Sequence, residues 1–91
     1  MHIDKFIWDG KNIPHIARHQ VTPDETEETV LSKERYIWRA REERYCVLGK
    51  TAMGRYLFVA FDYYSNNSAY VVTARDMDYK ERKLYKRKVR S

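Results

Sequence analysis

Residues 44–64, RYCVLGKTAMGRYLFVAFDYY, decide the fold of this 91-residue chain. Two runs rich in Tyr, Val, Leu and Phe, Arg44–Gly49 and Arg55–Tyr64, flank the short segment Lys50–Gly54. Runs of this length and composition, joined by a short connection that contains glycine, are typical of the two strands of a β-hairpin. The sequence therefore predicts an antiparallel strand pair at the centre of the protein.

Two further strands extend this pair. The first is Arg35–Trp38, and the second is Ala69–Arg75, which follows the hairpin-length segment Ser65–Ser68. Because such short connections join antiparallel strands, the four strands are predicted to form one antiparallel meander.

Three helices are predicted around this sheet. Asn12 is favoured over Asp9 as the cap of the first helix. Thr22–Glu25 has the capping-box pattern that opens a second, short helix, and Asp78–Glu81 repeats it before a C-terminal helix that runs to about Val89. The predicted fold class is α+β, with two N-terminal helices, an antiparallel four-stranded sheet and a C-terminal helix.

Composition sets limits on the class of protein. With 43% apolar and 14% aromatic residues, the chain is able to bury a core, and its length fits one domain spanning residues 1–91. The single cysteine, Cys46, is expected to be a buried strand thiol. A small domain without disulfides, with no membrane-spanning stretch and no signal-peptide pattern at its start, is expected in the cytoplasm.

The charge is distributed unevenly along the chain. Residues 1–45 carry 8 Lys and Arg against 9 Asp and Glu, a net charge of −1, whereas residues 46–91 carry 10 against 4, a net charge of +6. This asymmetry indicates a positive face of the kind that binds a polyanion. A solvated helix face without a partner explains the composition equally well.

Three motifs resemble those of the BrnT-like toxins, a group of small bacterial ribonuclease toxins. Trp8-Asp9 followed by residues 12–25, NIPHIARHQVTPDE, is similar to their opening signature. Residues 48–57, LGKTAMGRYL, resemble a hairpin motif, and Thr73–Met77 with Glu81 resembles the closing motif. The chain departs from the pattern at Gln20, where the family usually has glycine.

The resemblance implies a RelE-like fold, cleavage of mRNA and inhibition by an antitoxin of the BrnA type. It also directs attention to two arginines, Arg55 and Arg75, each at the end of a predicted central strand. The planar guanidinium binds two phosphate oxygens and remains charged. We expect the two strand ends to lie side by side, with both arginines as phosphate clamps over one shallow site. The alternative is that each arginine is only an exposed charge at a strand end, which keeps the protein soluble.

Further residues are candidates for proton transfer and base contact. His19 carries the side-chain type that acts as acid and base near neutrality, although it is equally well placed to cap the first helix. Glu81 and Tyr85 are four residues apart and share a face of the last helix; an ordinary surface pair beside a core tyrosine is the alternative. His15 and His19 lack a third metal ligand, so neither a metal nor another cofactor is predicted.

A basic set of residues is expected to bind RNA phosphates with salt-sensitive, sequence-independent affinity. Its members are Arg18, Lys80, Lys83, Arg87 and Arg90.

Two functions remain open. The first is a metal-independent endoribonuclease toxin of a type II toxin–antitoxin system, which cleaves mRNA and arrests growth. The second is a non-catalytic module on the same scaffold that binds RNA or an antitoxin-like partner. Direct DNA binding by this chain is not expected because no helix-turn-helix pattern is present, and no membrane partner is expected.

Overall fold

The computed structural model describes residues 1–89 and contains, in that range, three helices and one five-stranded sheet. The elements follow one another along the chain in the order β1, α1, α2, β2, β3, β4, β5 and α3. Their bounds are β1 Lys5–Ile7, α1 Asn12–Ala17, α2 Pro23–Leu31, β2 Tyr36–Arg41, β3 Arg44–Lys50, β4 Tyr56–Tyr63, β5 Ser68–Asp76 and α3 Tyr79–Lys88.

The sheet has the order β1-β5-β4-β3-β2. Strands β2 to β5 form the predicted antiparallel meander. The prediction of four strands was wrong, because β1 adds a fifth strand, parallel to β5, with Lys5 opposite Ser68 and Ile7 opposite Tyr70. The apolar run Phe6–Trp8 indicates a strand, but its partner lies some sixty residues away, and no local signal in the sequence specifies that pairing.

Two of the three predicted helix caps are confirmed. Thr22 with Glu25 forms the capping box of α2, and Asp78 with Glu81 forms that of α3. The preference for Asn12 over Asp9 at α1 was wrong, because the Asp9 carboxylate accepts the backbone N–H groups of Lys11 and Asn12.

Asn12 is buried and has a different task at the start of α1. Its side-chain amide donates to the carbonyl oxygens of Ile7 and Val71, at 2.9 and 3.0 Å. It thus ties the end of β1 to β5 at the point where their pairing stops, and α1 continues along the edge of β5 beyond that point.

The core has two parts, one on each face of the sheet. Helices α1 and α2 cover the first face, where Ile16 and Val30 pack with Val59 and Phe61. Gly49 allows α2 to come close, because a Cβ atom there would lie 2.8 Å from the Thr29 side chain. Helix α3 packs on the opposite face, around Leu48, Met77 and Tyr85.

Candidate active site

We call the sheet face on which α3 lies the α3 face, and it carries several aromatic side chains and Arg75. Because side chains alternate along a strand, the residues opposite one another in register share a face. Phe58 is opposite Arg75 and also opposite Leu48, which packs under α3. The members of the α3 face include Trp38, Cys46, Phe58, Thr73 and Arg75.

A β-bulge directs Thr73 and Arg75 to the α3 face. Ala60 pairs with Thr73 and Phe61 pairs with Val71, so Val72 is an extra residue in β5. Val71 points into the core under α1 and α2. Without the extra residue, Thr73 and Arg75 would point into the core as Val71 does, since each follows Val71 by an even number of positions. The bulge therefore reverses the direction of both side chains.

Arg75 is fixed in place on the α3 face. Its guanidinium carbon lies 4.3 Å from the centroid of the Phe58 ring, and its two terminal nitrogens donate to the Glu81 carboxylate at 2.8 and 3.0 Å. The hydrogen bond to Glu81 raises the pKa of Arg75 above its ordinary value, so the group stays charged. The side chain is 35% exposed, which leaves the guanidinium partly accessible from solvent.

Arg55 lies on the other face of the sheet, so the structure does not bring Arg55 and Arg75 together over one site. Its guanidinium donates to the Glu25 carboxylate at 3.1 Å and to the Asp76 carboxylate at 3.0 Å. It also donates to the backbone carbonyl oxygens of Gln20 at 2.6 Å and of His19 at 3.3 Å. These contacts engage most of its five N–H donors.

The turn that Arg55 holds has a left-handed residue at its centre. Gln20 has φ 62°, in the region that normally favours glycine. The N–H groups of Gln20 and Val21 donate to the carbonyls of Ala17 and Ile16, the hydrogen bonds of a Schellman motif. The glycine usual in similar sequences is therefore at a helix C-terminus, and Gln20 adopts the conformation required there.

His19 is exposed at this turn, whereas His15 is half-buried one helical turn earlier. The two rings meet edge to face with their centroids 5.4 Å apart. The Nε2 atom of His15 lies 3.0 Å from the Thr73 hydroxyl, and its Nδ1 atom lies 3.3 Å from the Arg18 guanidinium. His15 therefore connects α1 to the α3 face.

Glu81 and Tyr85 do not form one surface group. Glu81 binds Arg75 and also accepts the backbone N–H of Asp78 in the capping box. Tyr85 is 5% exposed and donates its hydroxyl to the Glu34 carbonyl at 2.8 Å. Burial raises the pKa of Tyr85. The phenol is thus a core group, the arrangement that the sequence left as the alternative.

Four of the five basic residues predicted to bind RNA are exposed: Arg18 at the end of α1, and Lys80, Lys83 and Arg87 on α3. The fifth, Arg90, lies outside the described residues. The Lys83 ammonium nitrogen is 5.4 Å from the ring centroid of Tyr79, itself 75% exposed. Exposed positive charge thus lies along α3 and at the end of α1.

Sequence reasoning did not assign roles to several members of this region. Trp38 and Phe58 lie near each other on the α3 face, with ring centroids 6.4 Å apart, and His15 and Thr73 meet at its edge. The sequence contains one usable signal, the change of apolar spacing from two to three between Ala69, Val71 and Ala74, which marks the bulge. Cys46 is buried as predicted, and burial raises the pKa of its thiol.

Within residues 1–89, no cluster of three or more His, Cys, Asp or Glu side chains is placed to hold a metal ion. In the same range, no helix is long and apolar enough to cross a membrane.

Comparison with known proteins identifies the family. The model of the ribonuclease toxin BrnT, of type II toxin–antitoxin systems, matches residues 8–81. The chain therefore belongs to the BrnT family of ribonuclease toxins, as its three motifs indicated. Membership implies an RNA substrate and an antitoxin partner.

A solved structure supports the fold. The crystal structure of the Brucella abortus ribonuclease toxin BrnT is similar to this chain with a TM-score of 0.65 and 19% sequence identity, over 81% of this chain and 96% of that one. At this identity the likeness shows the α+β fold alone. No curated protein matches the sequence significantly.

Proposed function

We propose that this protein is a metal-independent endoribonuclease toxin that cleaves mRNA and arrests growth, with its substrate bound across the α3 face. The observation that carries the proposal is Arg75, a partly exposed guanidinium held by Glu81 and stacked on Phe58. A cation fixed in this way needs little rearrangement to stabilise the charge that develops on phosphate during cleavage.

Glu81 serves in this proposal to orient Arg75. A guanidinium has five N–H donors, and Glu81 together with the Asp76 carbonyl accepts three of them. The remaining donors of Arg75 are the ones that bind a phosphate oxygen. Trp38 and Phe58 are half-buried on the same face, and we propose that an unpaired base stacks on the part of these rings that remains exposed.

The other predicted catalytic residues have unequal support. Proton transfer by His19 stays a prediction, and its exposure is compatible with substrate contact. The phosphate-clamp role of Arg55 and the base-contact role of Tyr85 also stay predictions. The contacts of Arg55 and the burial of Tyr85 support a structural role for each, so we assign the chemistry to the α3 face and its edge.

We propose that residues 1–91 act as a single domain in the cytoplasm, where mRNA is available. Lys80, Lys83 and Arg87 on α3, and Arg18 at the end of α1, supply phosphate contacts along the RNA strand. The antitoxin partner is proposed to be of the BrnA type.

The test uses purified protein, a fluorescent single-stranded RNA and a buffer that contains EDTA. Arg75→Ala is expected to lower the cleavage rate by about 10²-fold, the typical loss on removal of one transition-state donor, and to abolish growth arrest on induced expression. Arg39→Ala is the matched control, because Arg39 is exposed and two residues from Ile37, which packs on the α1 and α2 face. Circular dichroism checks that each variant is folded.

Full cleavage by folded Arg75→Ala would remove Arg75 from the site. Dependence of the wild-type reaction on a divalent metal would contradict the metal-independent mechanism. The non-catalytic alternative is favoured by one observation, that Arg55 and Tyr85 are occupied in structural contacts. This non-catalytic alternative predicts that the wild-type protein binds the RNA with salt-sensitive affinity and leaves the RNA intact.

A further inference from the structure

A cavity of about 270 Å³ lies between α1 and the edge of β5. Its walls carry cationic, imidazole and hydroxyl groups, which together suit a phosphate and its neighbouring ribose. The lining residues are Lys11, Asn12, His15, Arg18, Tyr70 and Val72.

His15 lines this cavity and is half-buried. Both of its ring nitrogens have partners, Thr73 Oγ1 on Nε2 and the Arg18 guanidinium on Nδ1. Because arginine donates hydrogen bonds and never accepts them, Nδ1 must be the acceptor, and the ring proton is therefore on Nε2 and donated to Thr73. His15 thus keeps a basic lone pair on Nδ1, which is covered by Arg18.

The position of His15 relative to Arg75 follows from the strand. Thr73 and Arg75 are two residues apart on β5 and share the α3 face, with their Cα atoms separated by about 7 Å. The residue that binds the imidazole, Thr73, and the residue whose guanidinium we assign to phosphate, Arg75, are therefore neighbours on one face of β5. A single RNA strand crossing the edge of β5 would meet both groups.

We propose that His15 is the catalytic base of the ribonuclease, and that binding of a substrate phosphate draws Arg18 away from Nδ1 to expose it. This inference rests on the proposed function. The freed Nδ1 atom takes the proton of a ribose 2′-hydroxyl, and the 2′-oxygen forms a bond to phosphorus. The bond from phosphorus to the 5′-oxygen of the next nucleotide breaks, and that oxygen takes a proton from the imidazolium of His19. The products are a 2′,3′-cyclic phosphate and a 5′-hydroxyl.

The surroundings of His15 suit this division of roles between the two histidines. From α1 and its C-terminal turn, Lys11, Arg18 and His19 face the same region, and β5 contributes the neutral hydroxyls of Tyr70 and Thr73. The nearby carboxylate of Asp9 accepts the Tyr70 hydroxyl at 3.1 Å. Lys11 and Arg18 are thus the cations that a phosphate meets on entering this cavity.

The test measures kcat and KM against pH for cleavage of one defined single-stranded RNA. Imidazole acting as a base produces a rate that rises with pH on the acid limb. His15→Gln is expected to lower kcat by at least about 10²-fold, to flatten that limb and to leave KM within about twofold of the wild type. His2→Gln is the matched control, because the His2 side chain is 76% exposed and pairs with Asp4.

Thr73 is a positioning residue in this scheme and provides a second variant. Thr73→Val is expected to lower kcat and shift the acid limb, and Thr73→Ser is expected to restore both, since serine keeps the hydroxyl.

The results separate the two proposals. Loss of rate in His15→Gln with an unchanged pH profile, or near wild-type kcat, overturns the assignment of His15 while the ribonuclease activity stands. If the wild-type protein cleaves no RNA at any pH, the proposed function fails and the role of His15 fails with it.

Discussion

At the scale of single residues, Gln20 shows how a side chain with an unfavourable local preference is held by its surroundings. An L-residue in the left-handed region costs about 1–2 kcal/mol relative to the right-handed one, and Gln20 has φ 62°. Two acceptors in this turn, the carbonyls of His19 and Gln20, are bound by Arg55. Tertiary hydrogen bonds therefore offset a strain that glycine would not have.

The first prediction follows from that strain. Gln20→Gly is expected to raise the free energy of unfolding by about 1 kcal/mol, which corresponds to a rise in Tm of about 4–8 °C for a domain of this size. Gln20→Ala is the control, because alanine keeps the Cβ atom and the strain. Equal stabilisation by alanine and glycine in thermal denaturation would show that the left-handed conformation carries no cost.

At the scale of elements, Arg55 joins its own β3–β4 hairpin to three other segments: the α1–α2 turn, the first turn of α2 and the end of β5. The hydrogen bond that Arg55 donates to the Asp76 carboxylate is the main cause that raises the pKa of Arg55, and the one that it donates to Glu25 contributes less. Because the guanidinium side chain is 26% exposed, each ion pair is weaker than a fully buried one. The fork geometry allows one side chain to reach these three segments.

Arg55→Lys is therefore expected to lower the free energy of unfolding by about 2 kcal/mol, since a lysine ammonium cannot reproduce several charge-assisted hydrogen bonds at once. Urea denaturation measures this change, with Lys50→Arg in the same hairpin as the control. The decisive comparison is the cleavage rate at a temperature where the variant is fully folded. A loss as large as that of Arg75→Ala under those conditions would place Arg55 in the catalytic site after all.

Local patterns predicted the elements better than they predicted the site. The capping boxes of α2 and α3 and the hairpin of β3 and β4 depend on neighbouring residues, and the structure confirms them. The parallel pairing of β1 depends on a contact across the whole chain, and the direction of Arg75 depends on one extra residue, Val72. A pattern of strand ends alone placed Arg55 beside Arg75, because nothing in it specifies which face each residue takes.

At the scale of the whole molecule, the charge asymmetry becomes a difference between two faces. Helix α2 begins with acidic residues on one face of the sheet, whereas α3 is basic on the other. Complementary potentials steer association and discriminate between partners. An antitoxin that covers the proposed RNA site must therefore meet the arginines and lysines of the α3 side, and leaving those charges buried without partners would be costly.

The last prediction is that the antitoxin contacts the α3 face and the basic residues of α3 itself with several Asp or Glu residues. Joint substitution of Lys83 and Arg87 by Glu is expected to weaken the complex, because it places like charges opposite one another. Asp24→Lys on the exposed first turn of α2 is the control; Glu27 is unsuitable because its carboxylate accepts the Trp8 indole N–H at 2.8 Å. Co-purification of each variant with a co-expressed antitoxin of the BrnA type in raised salt measures the effect. If Asp24→Lys disrupts the complex and the α3 substitutions do not, the antitoxin binds the α2 side, and inhibition then operates without direct cover of Arg75.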